Sequence, residues 1–388
     1  MSNREFDVVI YGATGFTGRL VAEYLSREYG KTVAWAMAGR SEDKLKSVRD
    51  EIGAPADTPL VVADASDPAS LKAMAERTRA VITTVGPYQL YGEALVKACV
   101  EAGTDYVDLS GEPAWMHDII ANYSDKAKAS GARIVHSCGF DSVPFDLGVY
   151  YLQEHAKAKT GKPLSRIKGR VRAMKGTFSG GTAASFAETM KRVAAEPEVL
   201  NVLINPFSLC EGFQGPEQPA GNKPIFEEDL NAWSAPFIMA VINTKNIHRS
   251  NAMMGHAYGE DFVYDEMFLT GPGDKGEEMA IAISKDRSMQ DNPPKPGEGP
   301  SKEERETGSY DVMFVGDAPD GTRIISSVKG DKDPGYGSTS KMISEAALTL
   351  VQDVRGKGGV MTPAPAMAAA LIKRLEAHAG LTFTIEKG

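Results

Sequence analysis

Three glycines spaced three residues apart, Gly12, Gly15 and Gly18 in the run YGATGFTG, carry the plainest chemical consequence in this sequence. An apolar segment from Phe6 precedes them, and a stretch with Val21, Tyr24 and Leu25 at helical spacing follows. In a strand-turn-helix unit the first glycine permits a sharp turn and the second lets backbone approach a diphosphate with no Cβ in the way. The third lets helix and strand pack closely. The first N–H groups of the helix, at the positive end of its dipole, then face the phosphates. Alone, such a triplet is a weak signal that also fits a glycine-rich turn. Its place between a strand and a helix makes Gly12, Ala13, Thr14, Gly15, Phe16, Thr17 and Gly18 the expected dinucleotide contacts.

The end of the second strand selects the cofactor. Where an NAD site carries an acid for the ribose hydroxyls, this chain reads Ala38-Gly39-Arg40-Ser41, with Lys44 one turn on. Arg40 suits adenine stacking and pairing with a 2′-phosphate, and Ser41 can donate to the same group, so NADP(H) is expected. Ser41 also reads as a helix N-cap. Asp64, closing the third strand, is either an adenine contact or a turn residue. Val85, Gly86 and Pro87 follow the fourth strand on the nicotinamide side.

A nicotinamide supplies hydride, so the protein must place an acceptor and stabilise the charge that develops on it. Tyr88, Tyr91, His136 and Asp141 are the candidate catalytic residues, with Ser110, Glu112 and Ser142 on the same strand ends. Each also has a packing role: Tyr88 and Tyr91 as an aromatic wall, His136 as a core histidine, Asp141 as a helix cap. Ser179-Gly180-Gly181-Thr182 reads as a capped turn or as backbone donors to a carbonyl. Asp333-Pro334-Gly335-Tyr336 is expected across the crevice. No Tyr is followed four residues later by Lys, which removes the short-chain dehydrogenase relay, and no His/Cys/Asp cluster suggests a metal.

The elements that must hold these residues alternate short β-branched runs with helical patterns. Phe6–Gly12, Thr32–Gly39, Pro59–Asp64, Ala80–Gly86, Tyr106–Ser110 and Ala132–Gly139 are the predicted strands of a doubly wound parallel sheet. Leu95, Val96 and Cys99 mark the inner face of a later helix. From Pro144 the pattern changes. Arg166–Gly176 alternates, and Tyr310–Val315 and Thr322–Val328 flank the hairpin signal Asp320-Gly321. Residues 205–235 and 291–306 read as loops, and Leu381–Ile385 as a last strand. The fold class is thus α/β, a Rossmann sheet plus an α+β second domain with a mostly antiparallel sheet. Expected divisions are 1–145, 146–335 and 336–388.

Composition sets outer limits. The 388 residues exceed one ordinary core, and the formal net charge of -9 opposes nucleic-acid phosphates. No apolar run approaches a spanning helix and no signal peptide precedes the first strand, so a cytoplasmic protein is expected. Cys99, Cys138 and Cys210 lack metal or redox spacing and read as reduced, buried hydrophobes.

With these motifs assembled, the chain resembles the saccharopine dehydrogenase-like oxidoreductases, and within them the trans-acting enoyl reductase group. The matching stretches are EFDVVIYGATGFTGRLVAEYL, AGRS, TTVGPYQLYGEALVKACVEAGTDYVDLSGE, GARIVHSCGFDSVPFDLGVY, KGTFSGGT, RSNA, PKPGEGPS and DPGYGSTS. The resemblance implies an NADP-type Rossmann domain closed by returning C-terminal helices. It also implies a middle domain that shapes the substrate site and is the candidate homodimer surface. The implied reaction is reduction of a C=C bond in an acyl or lipid-like substrate, with a carrier protein or synthase as partner. In the wider superfamily it is C=N chemistry on amino acids. A cofactor-binding scaffold without turnover is the third reading. Gly271–Asp291 is short and polar where relatives carry a longer apolar segment, which argues against lipid-surface docking.

Overall fold

A computed structural model describes residues 4–30, 32–176, 180–292, 299–318 and 320–387. Its first half is six βα units. The strands are β1 (Phe6–Tyr11), β2 (Trp35–Gly39), β3 (Leu60–Val62), β4 (Thr78–Thr83), β5 (Asp105–Val107) and β6 (Arg133–Val135). The helices are α1 (Phe16–Glu28), α2 (Glu42–Glu51), α3 (Pro68–Arg77), α4 (Tyr88–Ala102), α5 (Pro113–Ser130) and α6 (Val143–Thr160). All six strands overlap the predicted runs and are shorter than them, and β4 and β5 begin two and one residues earlier than predicted.

The second part contains β7 (Arg166–Lys175), α7 (Gly180–Ala195), α8 (Val199–Ile204), β8 (Ile225–Glu227), β9 (Ala232–Pro236) and α9 (Ala240–Met253). It continues with β10 (Val263–Gly271), α10 (Gly273–Ser284), α11 (Ser288–Asp291), α12 (Lys302–Thr307), β11 (Ser309–Asp317) and β12 (Arg323–Gly330). Two expected loops are corrected here. Within 205–235, β8 and β9 pair antiparallel at a sheet edge. Within 291–306, Ser301 and Glu304 form a capping box that starts α12, and residues 293–298 lie outside the described residues. Proline and glycine hid both signals.

The last segment contributes α13 (Thr339–Leu348), β13 (Gly359–Met361), α14 (Pro363–Arg374) and β14 (Leu381–Lys387). Strand β13, not foreseen, adds to the first sheet parallel to β6, giving the order β13-β6-β5-β4-β1-β2-β3. Strand β14 joins the second sheet, ordered β14-β12-β11-β7-β10-β9-β8, which is antiparallel except for the β7/β10 pair. The chain end is therefore shared between the sheets. Helix α13 lies against α1, where buried Glu345 accepts the hydroxyls of Tyr24 at 2.6 Å and Tyr29 at 2.5 Å and pairs with Arg374 at 2.9 Å. All three cysteines are free and buried, as expected.

Helix α9, which contains the RSNA run, is polar yet largely buried. Its side chains reach backbone that has no ladder partner: Arg249 donates to the carbonyls of Leu209 at 2.5 Å and Val360 at 2.6 Å. Asn243 donates to Glu266 on β10 at 2.7 Å. From α6, Asp146 accepts the Ala364 N–H at 2.8 Å and so caps α14 from 218 residues away.

Burial raises the Asp146 carboxyl to about 7 and that of Glu266 to about 8. Both groups hold protons when folded that they release when unfolded. Their stabilising contribution is therefore complete below the unfolded carboxyl range near pH ~4 and is lost as pH rises through 7 and 8. The melting temperature should fall from about pH 4 to 8 and level off above that, and Glu266→Gln should flatten the fall. Parallel slopes for the two proteins would show that Glu266 does not titrate in this range.

Candidate functional site

Strand β1 delivers the chain to Gly12, whose φ of +91° opens the turn. Gly15 is the N-cap of α1, its N–H donating to the Gly12 carbonyl at 2.9 Å. A Cβ on Gly18 would lie 2.1 Å from that same oxygen, so helix and turn touch through glycine alone. A Cβ on Gly15 would meet only that oxygen, at 3.3 Å, and its outward side is open. The first turn of α1 carries no acid to occupy its free N–H groups. This cradle fits the diphosphate of a dinucleotide, with Ala13 buried behind it and Thr17 on the cavity wall. Val85 packs on Gly12, Gly86 lines the cavity, and Pro87 is the N-cap of α4.

At the adenine side, Arg40 and Lys44 are exposed, and Arg40 enters no ion pair among the described residues. Ser41 caps α2 through the Lys44 N–H at 3.4 Å, so the capping reading is observed. Asp64 accepts the N–H and O–H of Ser66, both at 2.8 Å, which lowers its pKa and makes it a turn-forming residue. Arg40 and Lys44 are both exposed there and enter no ion pair among the described residues. Arg40→Ala should weaken NADPH by about 10–100-fold while NADH changes less than about threefold. Equal losses in a fluorescence titration would remove the 2′-phosphate from Arg40.

Beyond the cradle, Tyr88 and Asp141 line one cavity while Tyr91 and His136 stand outside its lining. Tyr88 is buried, stacks on Trp115 with centroids 5.4 Å apart, donates to the Thr83 carbonyl at 3.2 Å and accepts the Leu109 N–H at 3.1 Å. Tyr91 is 48% exposed and stands outside the cavity lining. His136 is buried with its Nδ1 2.7 Å from Asp108, behind the cavity wall. Asp141 lines the cavity itself, half-buried, and burial raises its carboxyl to about 6.

Tyr336 comes from the far side of the crevice. It shares a hydrogen bond with Thr182 and faces Asp141, and burial with that nearby charge lifts its hydroxyl well above the usual tyrosine range. Ser179 lies outside the described residues, while Gly181 and Thr182 line the cavity.

Two acids organise the wall, and sequence reasoning did not foresee how. Asp108 gathers the Tyr106 hydroxyl at 3.0 Å, His136, and the N–H groups of Ser110 at 3.0 Å and Ser137 at 2.9 Å. Glu112 accepts the N–H groups of Tyr88 and Gln89, both at 2.9 Å, and the Ser185 hydroxyl at 2.7 Å. It caps α4 from the next βα loop, and burial raises its pKa against these donors. The D-L-S-G-E run was the available signal, since Asp-x-Ser marks a local side-chain turn.

The cavity measures about 470 Å³ and runs from Thr17 and Gly86 past Asp141 and Tyr336 into an apolar end. Phe186, Met190, Ile204, Ile238, Val241 and Ile242 form that end. Met190, Ile204, Ile238 and Val241 remain exposed at its mouth. Among the described lining residues there is no Lys or Arg. No group of His, Cys, Asp and Glu able to hold a metal occurs among the described residues, and no helix there is long and apolar enough to cross a membrane.

Residues 8–135 match the family model described as the saccharopine dehydrogenase NADP binding domain. A Mycobacterium tuberculosis protein named as a trans-acting enoyl reductase is 41% identical over 404 residues, covering 96% of both chains. The trans-acting enoyl reductase of Mycobacterium ulcerans is 36% identical, again over 96% of both chains. In fold, the chain is similar to saccharopine dehydrogenase (L-Glu forming) of Saccharomyces cerevisiae, with a TM-score of 0.55, 12% identity, and coverage of 99% of this chain and 100% of that one. The protein is an NADP-dependent oxidoreductase of the saccharopine dehydrogenase-like family and belongs to its trans-acting enoyl reductase group.

Proposed function

We propose that the protein reduces an activated C=C bond in an acyl or lipid-like substrate. The cavity lining carries this reading: an apolar sleeve leads to a short polar end, with no described cation to hold an amino-acid carboxylate. Bound NADPH would supply the hydride that the reduced carbon receives. Phe186, Met190, Ile238 and Ile242 hold the hydrocarbon part and exclude water from the reacting end. Asp141, with its carboxyl raised to about 6, keeps a protonated fraction near neutrality and delivers a proton to the carbon beside the carbonyl. Tyr336, which stays protonated, donates a hydrogen bond to the carbonyl oxygen as charge develops there. Relatives are named trans-acting, which supports a substrate presented by a separate synthase.

Purified protein mixed with NADPH and a panel of enoyl thioesters, enones and amino/keto-acid pairs tests this. Absorbance at the nicotinamide band should fall with enoyl compounds, faster for longer chains. Turnover of amino/keto-acid pairs alone would overturn the proposal in favour of C–N chemistry. Tight NADPH binding without any turnover would favour a scaffold.

A further inference from the structure

We propose that Arg305, on α12, is a cofactor-binding residue that answers the diphosphate from outside the Rossmann unit. The inference rests on the dinucleotide reading of the glycine cradle and extends it to a segment that the sequence alone presents as a loop.

Phe16 is the first residue of α1, immediately beyond the cradle. Its ring meets three groups from distant parts of the chain. Tyr336 stands edge-on with centroids 5.0 Å apart, the Arg305 guanidinium lies 5.6 Å from the ring centroid, and Gly299 presses so close that a Cβ there would sit 2.6 Å from the ring. The approach is fixed by backbone. The capping box sets the start of α12, and the Asp333 N–H donates to the Arg305 carbonyl at 3.1 Å.

The charge on Arg305 has no acid paired to it among the described residues. Its Nη1 donates to the Pro300 carbonyl at 2.7 Å. Of the acids around it, Glu304 accepts the Ser301 N–H at 2.8 Å and Glu306 pairs with Lys302 at 3.8 Å, while Asp333 lies close enough for its charge to interact with Arg305 but accepts the N–H groups of Tyr336 at 3.0 Å and Gly337 at 2.7 Å. Two positive poles, the N-terminus of α1 that begins at Phe16 and the guanidinium 5.6 Å from the Phe16 ring, therefore lie near one another. An anion bridging the two relieves their mutual repulsion, and a guanidinium forks onto phosphate oxygens in matching geometry. The ligand chemistry is that of a diphosphate, which the cradle already presents.

The test uses the full chain and fluorescence titration with NADPH, ADP-ribose and adenosine 2′-monophosphate. Arg305→Met keeps the stem against Phe16 and removes the charge. It should weaken NADPH and ADP-ribose by about tenfold each and leave adenosine 2′-monophosphate, which lacks a diphosphate, unchanged. Arg305→Lys should recover most of the loss. The unliganded melting temperature should stay constant while the rise on adding NADPH shrinks. Unchanged ADP-ribose affinity in Arg305→Met, or equal losses in Met and Lys variants, would overturn the proposal. Failure of the wild-type chain to bind NADPH would instead strike the cofactor reading itself.

Discussion

Asp141→Asn should lower turnover of an enoyl substrate by about 10²–10⁴-fold, the range over which a positioned acid contributes, while NADPH affinity stays near wild type. The substitution keeps the shape of the side chain and removes the proton. The wild-type rate should also depend on pH in a defined direction. With the carboxyl raised to about 6 by burial, the acid form prevails below that value, so turnover falls as pH rises through it and beyond. In the Asn variant this limb disappears and the residual rate is flat. A variant that keeps more than about a third of wild-type turnover, or one with an unchanged pH limb, would assign the proton to another group. Tyr336→Phe should lose less, because water or backbone can still solvate the carbonyl oxygen.

The second large effect belongs to the cradle. Gly18→Ala places a methyl 2.1 Å from the Gly12 carbonyl oxygen and 2.9 Å from the Thr84 hydroxyl, so α1 must move away from the turn. Overpacking of this kind costs about 1–3 kcal/mol or more, and it displaces the N–H groups that grip phosphate. NADPH affinity should fall by at least about 100-fold, accompanied by a lower melting temperature. Gly15→Ala separates the two consequences. Its methyl meets protein only at 3.3 Å, so the melting temperature should hold while it crowds the diphosphate and affinity still drops. If both variants bind NADPH normally in calorimetry, the glycine triplet is not the cofactor site.

Local signals in the sequence suffice for some elements and not for others. Six of the seven strands of the first sheet were legible because they are largely buried and read as apolar runs between turn residues. The Asp320-Gly321 hairpin was legible through its turn chemistry, and β11 and β12 pair from Tyr310 to Asp317 as that signal implies. Strand β13, only Gly359–Met361, was not, since three residues carry no periodicity and owe their pairing to the exposed edge of β6. Helix α12 was hidden by the prolines and glycines before it, although its Ser301/Glu304 capping box was present in the letters.

The candidate site divides along the same line. Gly12, Gly15, Gly18, Arg40 and the strand-end positions were legible in sequence as candidates, because a phosphate loop is a local device: one turn, one helix start and one dipole within a few residues. The sequence by itself therefore determined the cofactor module and its preference. Which side chains share the cavity was decided only in three dimensions. Asp141, Thr182 and Tyr336 are separated by long stretches of chain, and Phe186, Met190 and Ile242 reach the cavity from α7 and α9. Tyr88 and His136 carry chemistry-bearing groups, yet the fold spends them on Thr83, Leu109 and Asp108. A side chain's hydrogen-bonding capacity is allotted by its neighbours in space, and one-dimensional order does not encode those neighbours until two sheets have packed.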